Sequence, residues 1–329
     1  MRFDKFLVLA GIACFFCTCQ MANYTQNIEV ETLNPAVFNI PEHVKSIDIF
    51  NLVPHRFTDF TFQYESNGRM RSDSALNYIQ ISKSCTDAVA QSLEKAKYFA
   101  KVRNLNDSIQ YLRNEPSDST LFRKLGVDAL LFLDSIDFKL IELNDVGTIF
   151  LNRASLKWSL NFKDDTLSYW YSQTDTLMFN GYDLANIKGH RNKLKSIVES
   201  SSEYLGKAFA TKMVPSWIPV ERMYYRSNNA EMIKAQNFAD KGEWLKAAEI
   251  WNKLTKNENT SMASKAAYNM ALCCEMEGNL DAAIDWVVRS FSTLKEENEE
   301  HKNNCQRYIN LLATRKKEIE KLSRQVRNN

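Results

Sequence analysis

Residues 235–251, AQNFADKGEWLKAAEIW, are answered thirty-six residues later by 271–287, ALCCEMEGNLDAAIDWV, and this pairing decides the fold of the last third of the chain. Ala235, Phe238, Gly242, Trp244, Ala247 and Trp251 fall opposite Ala271, Cys274, Gly278, Leu280, Ala283 and Val287. Small residues at matched places let two helices approach closely, and each Gly supplies the left-handed turn between them. A fixed period of this length marks a helical-repeat array, in which each helix pair buries its apolar face against the next. Two units are fewer than the roughly three that usually stabilise such an array. The segment Asn298 to Val326, with Tyr308, Leu311, Leu312, Ile319 and Leu322 at helical spacing, is therefore expected to cap it.

The spacing inside each unit resembles the tetratricopeptide repeat, over residues 222–329. Met270 stands acceptably where that repeat carries Leu, whereas Lys234 departs from it in the first unit. The resemblance implies a groove that takes up a protein or peptide, lined by the first helix of each pair. Lys234, Asn237, Asn269 and Cys273 are the candidate groove residues.

Upstream, Ala154, Leu156, Trp158, Leu160 and Phe162 alternate strictly, Asp164 and Asp165 turn the chain, and Leu167, Tyr169 and Tyr171 alternate on the return. That is a hairpin with one apolar face. Before it come two short β-branched runs (28–33 and 45–53) and a helix with Ile81, Cys85, Ala88, Val89, Leu93 and Ala96 on one face. A short strand at Tyr98–Val102, a helical patch stopping at Gly126 and a buried strand at Val127–Phe138 follow. After the hairpin, a closing helix presents Leu194, Ile197, Val198, Tyr204, Leu205, Ala208 and Phe209. The expected class is α+β: a mixed, sandwich-like α/β domain over 28–218, in the order β-β-α-β-α-β-β-β-α, then all-α repeats over 222–329. This order resembles the small α/β domain of envelope lipoproteins of the curli-secretion and penicillin-binding-protein-activator types.

The chain opens with Arg2 and Lys5, then an apolar run from Phe6 to Cys17, shorter than the ~20 residues of a spanning helix. Its end resembles a bacterial lipoprotein signal, cut before the cysteine that receives the lipid. Small Thr18 precedes Cys19, which makes Cys19 the expected attachment site, with Cys14 as the alternative. Residues 1–18 are then the signal peptide and 19–27 a tether. With the helical repeats, this resembles an uncharacterised lipoprotein family of the Bacteroidota. The resemblance implies export and a membrane anchor, expected on the outer membrane facing the periplasm because no acidic run follows Cys19.

Hydrophobic residues at 44% and charged residues at 25% exclude wholesale disorder, and a net charge of +2 gives no drive toward nucleic acid. No phosphate-binding loop, H-E-x-x-H or G-x-S-x-G occurs, and His43, His55, His190 and His301 lie far apart, so no catalytic residue, metal or cofactor is expected. Asp134 and Asp137 read as strand residues on opposite faces, not an acid and base pair. Cys85, Cys273, Cys274 and Cys305 read as reduced, mostly buried thiols. Asp followed by Ser or Thr and then an apolar residue or Thr occurs six times, against about one expected from composition. The pattern is similar to the O-glycosylation acceptor of Bacteroidota, with Ser74, Ser119 and Thr166 as candidates and Ser135 expected to be buried. The expected role is a non-catalytic envelope adaptor that binds a protein or peptide through its repeats. The alternative is binding or hydrolysis of an envelope carbohydrate by the α/β domain, through aromatic residues such as Trp158, Tyr169, Trp170 and Tyr171.

Overall fold

The computed structural model describes residues 25–53, 62–73, 78–106, 118–143, 148–163, 168–294 and 298–326. Their strands are β1 (Thr25–Asn34), β2 (Ser46–Asn51), β3 (Phe62–Ser66), β4 (Arg69–Asp73), β5 (Lys101–Asn104), β6 (Ala129–Leu143), β7 (Ile149–Phe162), β8 (Ser168–Asn180) and β9 (Ser216–Tyr225). The helices are α1 (Tyr78–Ala96), α2 (Asp118–Leu125), α3 (His190–Met213), α4 (Ala230–Ala239), α5 (Trp244–Leu254), α6 (Thr260–Met276), α7 (Leu280–Thr293) and α8 (Glu299–Gln325). The class is α+β, a mixed sheet with helices followed by five packed helices. Two compact units result. One takes Thr32–Ile218 and the residues from Lys317 on; the other takes β1 as far as Glu31 together with Pro219–Lys316.

In the sheet unit β6 is the spine. One edge pairs antiparallel with β7 along its length, and β7 pairs with β8. The other edge carries parallel β2 at its start and parallel β3 near its end, with β5 beyond β2 and β4 beyond β3. A bulge between Leu133 and Ser135 resets the alternation of β6: Ala129, Leu131 and Leu133 face the main core before it, and Ile136 and Leu140 face it after.

Helices α1 and α3 cover that face. Ile81, Cys85, Val89 and Leu93 meet Leu194, Ile197, Val198, Leu205 and Phe209 over the sheet, and the ring of Trp158 stacks on Phe209 at 4.4 Å. Buried polar pairs fix the helix positions: Asn51 donates to Ser82 (2.8 Å), Asn152 to Ser201 (2.8 Å), and Ser202 to the Ile81 carbonyl (2.6 Å). At Gly206 α3 lies so near α1 that an added Cβ would overlap the Cys85 carbonyl oxygen. Tyr204, expected inside, is 50% exposed. The face that meets α1 runs instead through Ser201, Ser202 and Gly206, where only small side chains leave room. On the opposite face α2 packs Leu121 and Phe122 on Phe50, Leu130 and Phe132, and Gly126 ends it with a φ of 61°. The half of β6 after the bulge has no helix over that second face in this cluster.

Two departures from the expected strand order stand out. The hairpin β3–β4 is additional, turning through Asn67 and Gly68, both at positive φ. Strand β1 does not join the main sheet; it pairs with β9 in a two-stranded ribbon. Residues 36–39 are held by the end of α8: Gln325 accepts from the Ala36 N–H (2.8 Å) and donates to the carbonyls of Ala36 and Phe38. Ile319, expected to pack against the repeats, is exposed.

In the helical unit the repeat equivalences hold at the level of packing. Ala235, Ala271, Ala247, Ala283, Trp251 and Val287 are all fully buried, and Gly242 and Gly278 turn at φ 74° and 76°. Asn229, Asn259 and Asn279 cap α4, α6 and α7 with their side chains.

Candidate functional site

Helices α4, α6 and α8 stand in the position of the first helix of successive pairs, and the surface they share is where a bound peptide is expected. It is occupied by the chain itself. The end of β9, Arg222 to Tyr225, is buried among these helices. Every residue of that end except Met223 is anchored by a specific contact.

Arg222 reaches Glu275 of α6 through a forked contact, its Nε 2.9 Å from both carboxylate oxygens and its terminal nitrogen 2.7 Å from one. Tyr308 of α8 donates to the same carboxylate at 2.7 Å. Both charges are removed from water, so each depends on the other. Tyr224 packs on Trp251 within the α4–α7 core and donates to Asp240 at 2.5 Å. Asn269 accepts from the Tyr225 N–H (2.7 Å) and donates to the Tyr225 carbonyl (2.8 Å), so one side-chain amide does for this residue what a neighbouring strand would do.

The Tyr225 ring leads into a buried polar cluster. Its hydroxyl lies 2.9 Å from Nδ1 of His301 and accepts from Asn304 at 3.0 Å. Nε2 of His301 lies 2.6 Å from the Ser264 hydroxyl and 3.1 Å from that of Ser290. Ser264 and Ser290 each donate to the other's carbonyl, at 2.7 and 2.8 Å. With both hydroxyl protons committed, Nε2 carries a proton, and the lowered pKa favours a neutral ring whose Nδ1 accepts from Tyr225. Burial lowers its pKa; a bond with the Ser290 main chain opposes that, and Lys265 lowers it further.

A serine 2.6 Å from a histidine has the spacing of a nucleophile and its base. Here Ser264 gives its proton to a carbonyl, accepts from the imidazole, and has no exposed surface. The arrangement ties α6, α7, α8 and β9 together.

The predicted groove residues divide. Asn269 and Cys273 are buried: Asn269 is spent on Tyr225, and Cys273 donates to the Trp244 carbonyl with its pKa raised by burial. Neither is open to a partner, because β9 and α5 already cover them. Lys234 and Asn237 are exposed on α4. Arg222, Tyr225, Glu275 and His301 were not anticipated. Cys19, Ser74 and Thr166 lie outside the described residues. Ser119 lies in the first turn of α2 with its side chain exposed. Ser135, expected to be buried, is only half-buried because it follows the bulge. Of the aromatic residues considered for carbohydrate, Trp158 is in the core, Tyr169 and Tyr171 pack on Phe38, and Trp170 is 76% exposed. Cys85, Cys273, Cys274 and Cys305 are free thiols. Among the described residues no three His, Cys, Asp or Glu side chains could hold a metal, and no helix is long and apolar enough to cross a membrane.

The sequence profile of a domain of unknown function, DUF8603, matches residues 44–225, more than half of the chain. The chain belongs to the DUF8603 family. A second domain of unknown function, DUF6340, matches residues 233–314. The DUF8603 region thus ends on Tyr225, and its last four residues fill the surface formed by the DUF6340 region. Among solved structures, this DUF8603 protein is distantly similar to the PelC dodecamer from Paraburkholderia phytofirmans, with 11% identity over 56% of this chain and 98% of that one and a TM-score of 0.27. It is also distantly similar to a minor lipoprotein from Acinetobacter baumannii, with 8% identity over 52% and 94% of the two chains and a TM-score of 0.25. No curated protein matches it.

Proposed function

We propose that this DUF8603 protein is exported, anchored by a lipid at Cys19, and acts in the cell envelope by holding a protein partner, without catalysing a reaction. One observation carries the binding role. The repeats already take up an extended segment, Arg222 to Tyr225, through main-chain and charged contacts of the kind a bound peptide makes. That self-occupied surface makes the array a rigid support, and a partner meets its open helix faces. Ile233, Lys234 and Asn237 lie together on the exposed side of α4, an apolar side chain beside a cation and an amide. Export and acylation rest on the N-terminal sequence.

A photo-crosslinking residue at Asn237, introduced in native cells, tests the role. It is expected to capture a defined envelope protein, and capture is expected to disappear when Ile233→Asp and Lys234→Glu are added without change in the circular dichroism spectrum. Capture that survives those changes refutes this surface. Mass spectrometry of the mature N-terminus tests acylation separately.

A further inference from the structure

Beyond the bulge, no described helix joins the cluster on the second face of the sheet, and the strand register writes its side chains out in rows. Ile141, Leu151 and Met178 are direct neighbours across β6, β7 and β8, and Leu143 and Ile149 form the next row toward the strand ends. Met178 is 72% exposed and Leu143 43%, with the others half-exposed. This is a contiguous apolar patch rather than scattered side chains.

One row back, Lys139 and Arg153 are directly opposed. Both are exposed, and neither makes an ion pair or hydrogen bond among the described residues. Like charges opposed across two strands weaken their pairing, so the fold gains nothing from them there. Asp137 lies a further row back, and Glu65 of β3 is directly opposed to Ile141 at the edge of the first apolar row. Two residues of strand separate the cations from the first apolar row by about 7 Å. That spacing matches the depth of roughly 5–10 Å at which apolar side chains enter the boundary between lipid headgroups and acyl chains.

We infer that this end of the sheet docks on the surface of an anionic lipid bilayer, with Met178, Leu151 and Ile141 entering the acyl boundary while Lys139 and Arg153 meet lipid phosphates. A layer of anions answers two opposed cations at once, and the apolar rows lie on the far side of them as a bilayer requires. The contact is independent of acylation.

The test is co-flotation of the full chain with vesicles of phosphatidylglycerol or of phosphatidylcholine, comparing variants that share the same N-terminus. Each cation near an anionic surface strengthens binding by about fivefold. Lys139→Gln with Arg153→Gln is expected to weaken partitioning to phosphatidylglycerol by about 25-fold and leave phosphatidylcholine unchanged. Met178→Ser with Leu151→Asn is expected to weaken both. Equal partitioning of the native chain to the two lipids overturns the inference. So does loss of the preference on Lys321→Gln with Arg324→Gln instead, which assigns it to the end of α8. A dimer in solution that Met178→Ser dissolves, with no lipid preference, assigns the patch to a second copy of this chain and overturns it as well.

Discussion

Replacing Arg222 by Met removes one partner from a buried ion pair and keeps the bulk of the side chain. The carboxylate of Glu275 then loses three of its contacts, at 2.9, 2.9 and 2.7 Å, and retains only the Tyr308 hydroxyl. Breaking a buried pair from one side costs about 3–5 kcal/mol, because a charge is left without water or counterion. With a urea slope of roughly 2 kcal/mol per molar, the unfolding midpoint of the helical unit is expected to fall by about 2 M. Glu275→Leu is expected to be costly too, since it takes the carboxylate partner from the buried Arg222 guanidinium. Combining the two removes both charges and is expected to recover most of the loss, so the coupling in a double-mutant cycle is at least as large as the cost of either single change, about 3–5 kcal/mol. Hydrogen exchange at the Tyr225 amide, bonded to Asn269, follows the strand itself and is expected to quicken in each single variant. A single-variant cost below about 1 kcal/mol, or losses that simply add, would refute the reasoning that the repeats hold β9 through this pair.

Two further outcomes are expected. Gly206→Ala adds a Cβ that overlaps the Cys85 carbonyl oxygen, so α1 and α3 must separate; the overpacking cost of about 1–3 kcal/mol outweighs the gain of roughly 1 kcal/mol in helix propensity, and the midpoint of thermal unfolding falls. Neutral His301 has its pKa lowered in the folded state, so its contribution is complete above the unfolded value of about 6.5 and is lost as the pH falls below it. Urea titrations at pH 7.5 and 5.5 are expected to show weaker helical packing at the lower pH, and His301→Gln to lessen the difference; equal stability at both values contradicts this.

The repeats were legible in the sequence because close packing leaves no choice at Ala235, Ala247, Ala271 and Ala283, and turning leaves none at Gly242 and Gly278. The β7–β8 hairpin was legible for a similar reason: a strand with one buried face must alternate. The β3–β4 hairpin went unnoticed because FQYESNGRMRSD has little apolar alternation, although Asn67–Gly68 is a strong signal for a tight turn. Strand β9 was hidden by Pro219, which suits an edge position. The occupied groove was out of reach by distance: Arg222 and Glu275 are 53 residues apart, and nothing local pairs a cation with an anion so far along the chain. Asn269 reads from the sequence as a groove residue of the inner helix face, and its amide serves the chain's own Tyr225.

The interlock at Tyr225 has an evolutionary consequence. A crossover between the DUF8603 and DUF6340 regions, in the few residues from Arg226 to Met232, would deliver a foreign Arg222–Tyr225 segment to helices shaped for another. The new protein would inherit a buried carboxylate at Glu275 without its guanidinium and a buried His301 without the Tyr225 hydroxyl. The two regions are therefore expected to be inherited together, and a DUF8603 chain with different repeats must carry a matching change in its last four residues.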